Sequence, residues 1–479
     1  MNEDEFDYVI AGSGAAGASV ARILADTGAS LAVVEEGPVV STADFKDTAL
    51  QTFHRLYRGM GAQVTRGRAP MLVIQGRCLG GSTVVNSAIM RRLPEEVWQE
   101  WSTTYDLGDT ILPFAQIDRA AEKIEIELRV EPTREEVWGR NNRLLAEGVA
   151  RLGLAGSPTR RNAPGCRGSG RCNLGCPHGA KQSMQVSYLP YAQDRGARLL
   201  ADERVEEVLW RGRRAVAVRT ARRIIKARKA VIVAASAIQT PGLLRRSGVR
   251  SPHLGRHLQS HPGMALVGLF DDPVNLGEGA TQGFEVDGFR AESRVKVETL
   301  ALPPDTFFAG LPGVGRRWVE LMAEFPRAAV WVLPLRAFGS GSVGVGPLDR
   351  SIRFRLDPRD LPNLRRGLRQ AAELMFAAGA REVVCPVHGL PDRLRPQDLE
   401  LLDRLDDDAA RYPLAMSHLF GTARMSVRPD DGVIGTDFKV HGSENLYVVD
   451  SSLFPTNLGV NPQLSIMALA RIAAERMAP

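Results

Sequence analysis

A glycine-rich turn near the start of the chain constrains its fold more than any other stretch. The sequence Gly12–Gly17 (GSGAAG) follows an apolar run, Asp7–Ala11 (DYVIA), that is typical of a buried β-strand. A helix is predicted after the turn, to about Asp26, and a second strand at Leu31–Val34. Glycines at this spacing allow a tight turn, close approach of a pyrophosphate, and close packing of helix on strand. The pattern predicts a βαβ unit that binds a dinucleotide.

The residues after the second strand strengthen this prediction. The strand ends at Glu35 and Glu36, where dinucleotide-binding folds place the acid that binds a ribose hydroxyl. The unit also stands at the start of the sequence, which favours FAD over NAD. We therefore expect a bound FAD.

A second glycine-rich turn, Gly76–Asn86 (GRCLGGSTVVN), is followed by Arg91 and Arg92. The backbone N–H groups of such a turn can hold a phosphate or a flat ring. An ordinary loop that leads into a helix would have the same composition. On the residues alone, both interpretations stay open.

A histidine and an asparagine near the end of the chain are candidates for acid–base chemistry. His418 lies before a turn at Gly421 and Thr422. Asn461 is a predicted N-cap, and Pro462 suits the first position of the final helix. A helix N-terminus offers unpaired N–H groups and partial positive charge. Together these groups would suit removal of a hydroxyl proton, although a structural, hydrogen-bonded His418 is the simpler alternative.

Composition limits the partners that the chain can have. The 479 residues are enough for two to three domains, and the formal charge of +6 comes from interspersed acidic and basic residues. The most basic run, Arg211–Lys229, alternates with apolar residues and predicts paired strands rather than a nucleic-acid surface. We expect no nucleic-acid partner.

The sequence also bears on the compartment in which the protein is found. No apolar run reaches the length of a transmembrane segment, and the acidic first residues, MNEDEFDYVI, differ from a signal peptide. Five cysteines in a chain this long do not indicate a disulfide scaffold. We expect a cytoplasmic protein.

Four stretches resemble signatures of the glucose–methanol–choline (GMC) oxidoreductases. Gly76–Arg92 resembles the first signature and Ala234–Gly248 the second. Gly255–Pro262 is similar to the segment that follows, and Ser417–Met477 is similar to the C-terminal pattern with its HxxGT and Asn-Pro elements. Together they cover most of the chain in the family's order.

The resemblance implies an α/β fold with a Rossmann-like FAD-binding domain and an α+β substrate domain on an antiparallel sheet. The FAD domain would be discontinuous, comprising residues 1–92, 185–261 and 412–479. The substrate domain would comprise residues 93–184 and 262–411.

Local patterns add detail to the substrate domain. We expect strands at Ala328–Leu333 and Ser351–Leu356, and a helix at Pro362–Ala378 that ends before Gly379. The stretch Phe270–Trp318 is rich in glycine, proline and polar residues, which predicts long loops.

The resemblance also implies the residues that contact FAD. They are Gly12, Ser13, Gly14, Gly17 and Glu35 for the ADP half, Gly80, Gly81, Ser82 and Asn86 for the pyrophosphate and ring, Val205 for adenine, and Asp450, Asn461 and Pro462 for the ribityl chain and pyrimidine. Members that attach FAD covalently have a histidine where this chain has Val85. The flavin is therefore expected to be dissociable.

The implied reaction is oxidation of an alcohol to an aldehyde or ketone, with hydride transfer to flavin N5. His418 would be the base and Asn461 would position the substrate oxygen. We expect a bulky, apolar or cyclic alcohol, whereas the electron acceptor, whether oxygen, a quinone or a redox protein, is not predicted. Alternatives on the same scaffold are a hydroxynitrile lyase, a fatty-acid photodecarboxylase and the FAD subunit of an electron-transfer complex.

Three of the five cysteines, Cys166, Cys172 and Cys176, lie in one glycine-rich stretch that ends in Cys-Pro. The stretch resembles the insert of FAD sugar dehydrogenases that carry a three-iron cluster, which makes these cysteines candidate iron–sulfur ligands. Zinc would need a fourth ligand, for which only His178 is near in sequence. Reduced thiols on an ordinary loop are the remaining alternative.

Overall fold

The computed structural model describes residues 3–46, 48–346 and 351–478. The predicted domain ends, Met1 and Pro479, and residues 347–350 of the predicted substrate domain therefore lie outside the described residues. Most of the described strands belong to two large sheets.

The first sheet is built around the predicted βαβ unit. The strand Glu3–Ala11 pairs in parallel with Leu31–Val34 on one side and with Ile224–Val233 on the other. The helix Ala15–Ala25 connects the first two strands, as predicted. The strands end together at Ala11, Val34 and Val233, the edge at which such sheets bind ligands.

Four further strands complete this sheet. They are Arg198–Leu200, Val205–Arg211, Arg214–Thr220 and Leu446–Val448. Arg214–Thr220 pairs antiparallel with both Val205–Arg211 and Ile224–Val233, so the basic run forms paired strands as the alternating pattern predicts.

The second sheet has nine strands and is mainly antiparallel. Its long strand, Gln259–Leu269, pairs with Ala328–Pro334, Ala415–Phe420 and Glu382–Val384. The others are Gln63–Val64, Leu72–Val73, Ser157–Pro158, Phe284–Val286 and Val297–Thr299. Three of the nine strands lie wholly in segments that the sequence assigns to the FAD domain, and Gln259–Leu269 begins in one of them. The domain boundaries stay a prediction.

One expectation about the second sheet is wrong in part. Instead of loops alone, Phe270–Trp318 contributes the strands Phe284–Val286 and Val297–Thr299. It also forms helices at Arg290–Ser293 and Pro304–Ala309 and the start of Arg316–Ala323. The sequence pattern does not indicate these strands, because their residues Glu285 and Glu298 are buried against Lys296, which precedes the second strand, rather than solvated.

The remaining predictions of local structure agree with the structure within two residues. The strands lie at Ala328–Pro334 and Ile352–Arg355, and the helix at Asp360–Ala377. Gly379 follows with a φ of +99°, the left-handed conformation expected after a helix.

Helices cover both sheets. Ala15–Ala25 packs against the final helix, Gln463–Met477, which also packs on Phe114–Glu127. Asp360–Ala377 covers the second sheet beside Gly139–Arg151. The other helices are Ala49–Leu56, Glu95–Thr104, Tyr188–Gln193, Ser236–Arg246 and Glu400–Asp403. Two small sheets pair Ser340–Val343 with Ile352–Arg355 and Glu131–Pro132 with Arg160–Arg161.

Candidate active site

The first glycine turn packs as tightly as its sequence predicts. Gly12 has a φ of +107°, and a Cβ atom at Gly17 would lie 1.9 Å from the carbonyl oxygen of Gly12. A Cβ atom at Gly14, by contrast, would meet nothing within 4 Å. Gly17 therefore serves the packing of the helix, while Gly14 opens the turn toward a cavity.

Glu35 is joined directly to this turn. Its carboxylate accepts hydrogen bonds from the backbone N–H of Ser13 at 3.0 Å, the Ser13 hydroxyl at 2.7 Å and the N–H of Gly37 at 2.9 Å. Burial raises the pKa of Glu35, against the effect of these donors. The acid that sequence assigns to a ribose is thus held rigidly beside the turn.

The second glycine turn meets the first one. The N–H of Gly80 donates to the Ser13 hydroxyl at 2.9 Å, and a Cβ atom at Gly81 would lie 3.0 Å from the Cα atom of Gly14. The two turns, which are distant in sequence, therefore pack directly against each other. Both turns border the same cavity.

This cavity has a volume of about 860 Å³ and runs from the glycine turns to the second sheet. It is within the size range of pockets that hold large ligands. The predicted FAD and catalytic residues that line it are Gly12, Ser13, Gly14, Glu35, Gly81, Ser82, Asn86, Val205, His418, Asp450, Asn461 and Pro462. Gly17 and Gly80 lie behind its wall and shape the turns.

Asp450 and Asn86 are fixed in the cavity wall by their neighbours. Asp450 accepts from the N–H of Ser236 at 3.0 Å, the hydroxyl of Thr240 at 2.5 Å and the N–H of Ser452 at 2.8 Å. Burial raises the pKa of Asp450 despite these donors. Asn86 donates to the side chain of Gln463, the first residue of the final helix.

His418 lies on the strand Ala415–Phe420 and contacts a second histidine. Its Nδ1 is 3.0 Å from Nδ1 of His261. The N–H of Gly459 donates to Nε2 of His261 at 2.7 Å, whereas the side chain of Asn457 favours a proton on that ring. Because Nε2 of His261 accepts this bond, the neutral ring of His261 carries its proton on Nδ1 and donates it to Nδ1 of His418, whose own proton is then on Nε2.

The two histidines are neutral near pH 7. Burial lowers the pKa of His418 to about 4, and burial together with the neighbouring His418 lowers the pKa of His261 well below its ordinary value. A neutral imidazole retains a lone pair that can accept a proton. His418 thus has the ionisation state that a general base requires.

Asn461 differs in detail from its predicted role as an N-cap. The helix begins at Gln463 with Pro462 as the residue before it, and the side chain of Asn461 does not cap it. Instead, Asn461 Oδ1 accepts a hydrogen bond from Lys296 Nζ at 3.0 Å. A buried ammonium group competes successfully for the amide oxygen, since an uncompensated buried charge is costly.

Sequence reasoning missed Lys296, Glu298 and His261 as parts of this site. Glu298 and His261 line the cavity with His418, and Lys296 lies directly behind Asn461. Lys296 and Glu298 belong to a stretch whose polar composition resembles a loop. His261 falls within the segment similar to the GMC family, and that position was its available signal.

The cysteine segment forms a separate cluster around Arg161. Arg161 Nη2 donates to Cys172 Sγ at 3.0 Å, and Nη1 lies 3.9 Å from Cys166 Sγ. Burial opposes ionisation of Cys172, but Arg161 and Lys181 outweigh it and hold the pKa of the thiol below its ordinary value.

The space beside these cysteines is small. The cavity that Cys166, Cys172 and Cys176 line with Arg161 has a volume of about 10 Å³, roughly that needed for one water molecule. Within the described ranges, no three His, Cys, Asp or Glu side chains are arranged to hold a metal ion. In this arrangement the space beside the cysteines does not fit an iron–sulfur cluster. The hypothesis that these cysteines bind one is left to measurement of the metal content.

None of the helices in the described part of the chain is both long and apolar enough to cross a membrane.

Comparison with solved structures agrees with this fold. Pyridoxine 4-oxidase from Mesorbium loti superposes with a TM-score of 0.72 over 98% of each chain, at 18% sequence identity. At this identity the likeness shows the fold alone.

Comparison of sequences shows closer relatives. A GMC-type oxidoreductase of Mycobacterium tuberculosis is 37% identical over 98% of this chain and 75% of its own length. A long-chain-alcohol oxidase of Arabidopsis thaliana is 27% identical over 97% of this chain and 66% of its own length. Models of the GMC oxidoreductase family match residues 6–263 and 344–470. The chain therefore belongs to the GMC oxidoreductase family.

Proposed function

We propose that this protein oxidises the CH–OH group of an alcohol to an aldehyde or ketone with bound FAD. The observation that carries the proposal is that His418 and Asn461 line the same cavity that both glycine turns border. Membership in the GMC family supports oxidation of an alcohol in general.

The cavity offers suitable groups for each part of FAD. Gly14 leaves open space beside the helix N-terminus, where a pyrophosphate would be stabilised by unpaired N–H groups. The carboxylate of Glu35 retains lone pairs for the hydroxyls of a ribose. Ser82, Asn86, Asp450 and Pro462 would contact the flavin half, and Val205 the adenine. When bound, FAD supplies the hydride acceptor.

His418 and Asn461 would act on the substrate oxygen. For the ring nitrogen of His418 that does not face His261 to accept the hydroxyl proton, the histidine pair must first change tautomer, so that His418 carries its own proton on Nδ1 and donates it to Nδ1 of His261. The proton of His261 then lies on Nε2, and the hydrogen bond from the N–H of Gly459 is lost. Asn461 holds the oxygen as negative charge develops on it. Loss of the proton makes the CH–O group a better hydride donor.

The substrate side of the cavity is largely apolar. Met264, Val267, Leu300, Leu302 and Val384 line it. Apolar walls favour a substrate with a long or bulky hydrocarbon part, because binding removes that surface from water. This agrees with the name of the Arabidopsis relative, a long-chain-alcohol oxidase.

Anaerobic mixing tests the proposal. The FAD-loaded protein would be mixed in the dark with a long primary alcohol, a cyclic alcohol and ethanol, and the flavin absorbance followed. We expect bleaching with the first or second and little with ethanol. A hydroxynitrile lyase or photodecarboxylase would leave the flavin oxidised, and no bleaching with any alcohol would contradict the proposal. Reoxidation by oxygen or by a dye then identifies the class of acceptor.

A further inference from the structure

Lys296 is a buried lysine whose ammonium group has three oxygen neighbours. Only 1% of its surface is exposed. Its Nζ lies 2.5 Å from Glu285 Oε2, 2.7 Å from Glu298 Oε1 and 3.0 Å from Asn461 Oδ1. The contact to Asn461 is a hydrogen bond, and the contacts to the two carboxylates are ion pairs that compensate the buried charge.

The carboxylates of Glu285 and Glu298 each accept a hydrogen bond from a further side chain. Arg91 Nη1 donates to Glu285 at 2.8 Å, and Gln282 Nε2 donates to Glu298 at 2.9 Å. Burial alone would lower the pKa of Lys296, but Glu298 and Glu285 outweigh it and raise the pKa. Lys296 is therefore a fixed positive charge beside the active site.

This network fixes the orientation of the Asn461 amide. Its oxygen faces the ammonium group of Lys296, and a hydrogen bond from the same side chain to Glu298 helps to keep that carboxylate ionised. A flipped amide would place an NH₂ group against the ammonium and an oxygen against a carboxylate, which is unfavourable at both ends. Asn461 lines the cavity, and its amide group has a second N–H besides the one that bonds to Glu298.

We infer that Lys296 is a positioning residue that makes Asn461 a hydrogen-bond donor to the substrate oxygen. The inference rests on the proposed function. Lys296 acts through Asn461, since it lies behind the cavity wall, while Asn461 and Glu298 line the cavity. A donor at this position stabilises the negative charge that develops when His418 removes the hydroxyl proton.

The energetics of burial support a role beyond packing. A buried ion pair is often no more stable than apolar residues of the same volume, because desolvation offsets the attraction between the charges. Here Lys296 directly precedes the strand Val297–Thr299, and Val295 and Val297 on either side of it are buried, so an apolar residue in its place would suit the surroundings. The network instead places one ammonium group against the amide oxygen of an active-site residue.

Kinetic coupling between Lys296 and Asn461 tests the inference. The variant Lys296→Met with Glu285→Gln removes one charge of each sign, which avoids leaving a surplus buried carboxylate. We expect flavin reduction at saturating alcohol to slow by about 10²-fold, the usual effect of losing one donor of this kind. In an Asn461→Ala background the same pair of changes should alter the rate by less than about threefold, because coupled residues are not additive.

Two further variants distinguish a role of Lys296 in orienting Asn461 from a role in the stability of the fold. Glu285→Gln alone is the reference for the paired change, because it shows what loss of this carboxylate does while the Lys296–Asn461 contact is kept. Asn461→Asp keeps an oxygen for Lys296 but removes the N–H donor, so we expect a loss as large as that of Asn461→Ala. Flavin absorbance and melting temperature establish folding of each variant. Should the Lys296 variants not fold, Asn461→Asp still decides whether a donor is needed.

The outcomes are distinct. Additive losses in the double-variant comparison, or near wild-type reduction in Asn461→Asp, overturn the inference while wild-type reduction by alcohol upholds the proposed function. Absence of reduction in the wild-type protein contradicts the proposed function itself.

Discussion

Nδ1 of His261 lies 3.0 Å from Nδ1 of His418, and the two rings are nearly perpendicular, at 87°. The contact leaves the other nitrogen of His418 for chemistry in the cavity. It also places a second titratable ring next to His418. A positive charge on either ring disfavours protonation of the other.

The low pKa of His418 predicts an unusual pH profile. A base must be neutral to accept a proton, and the pKa of His418 is about 4. The rate of flavin reduction should therefore be nearly constant from about pH 9 to pH 5, and decrease only as the pH falls through about 4. Stopped-flow measurements of reduction across this range check the profile. An inflection near the ordinary histidine value of 6.5 would contradict it.

Substitution of His418 tests its role as the base. We expect His418→Ala to slow flavin reduction by roughly 10²–10⁴-fold, the usual contribution of a general base. FAD should remain bound, because the glycine turns are unchanged. His388→Ala is a matched control, since its side chain is exposed and lies outside the cavity lining. Near-normal reduction in His418→Ala would exclude this histidine from the proton transfer.

The sequence predicts the parts of this site that depend on local backbone geometry. Gly12, Gly17 and Glu35 follow from the pattern of strand, turn and helix, because close packing at these points admits few other residues. The structure places them as expected, with Gly17 against the carbonyl of Gly12.

The parts that depend on distant contacts were not predictable in the same way. Lys296 and Glu298 stand in a sequence whose polarity indicates a loop, and the ion pairs of Lys296 with Glu298 and Glu285 explain how these charges are buried. The cap expected from Asn461 failed for the same reason, since Lys296 takes its oxygen. A local sequence pattern cannot predict a contact with a charged residue, such as Lys296, that is distant in the sequence.

Gly14 offers a way to weaken FAD binding without disturbing the fold. A Cβ atom there would contact no protein atom within 4 Å but would project into the cavity beside the turn. We expect Gly14→Ala to preserve the melting temperature of the flavin-free protein. It should weaken FAD binding by about 5- to 150-fold, since overpacking typically costs about 1–3 kcal/mol.

Titration of the flavin-free protein with FAD measures this effect. Gly277→Ala is the control, because a Cβ atom at Gly277 also meets nothing within 4 Å and the residue does not line the cavity. Equal FAD affinities of the Gly14→Ala variant and the wild-type protein would place the pyrophosphate elsewhere.

The flavin should be released intact when the protein is denatured. Val85 lines the cavity where covalent members of the family have a linking histidine, and its side chain cannot form such a bond. After acid precipitation we expect the yellow chromophore in the supernatant. Colour retained in the protein pellet would show a covalent attachment at another residue.

The cysteine cluster can be tested by its metal content. Arg161 lies between Cys166 and Cys172, and the adjoining space holds about one water molecule, so a cluster could form only if this buried guanidinium moved away. We expect less than one iron per chain in protein purified without air, and flavin reduction that does not depend on iron. Cys172→Ser should leave the rate of reduction by alcohol within about threefold of the wild-type rate, as expected for a site outside the catalytic cavity. About three irons per chain, lost together in Cys172→Ser, would instead establish the cluster and make the protein a dehydrogenase with an internal electron relay.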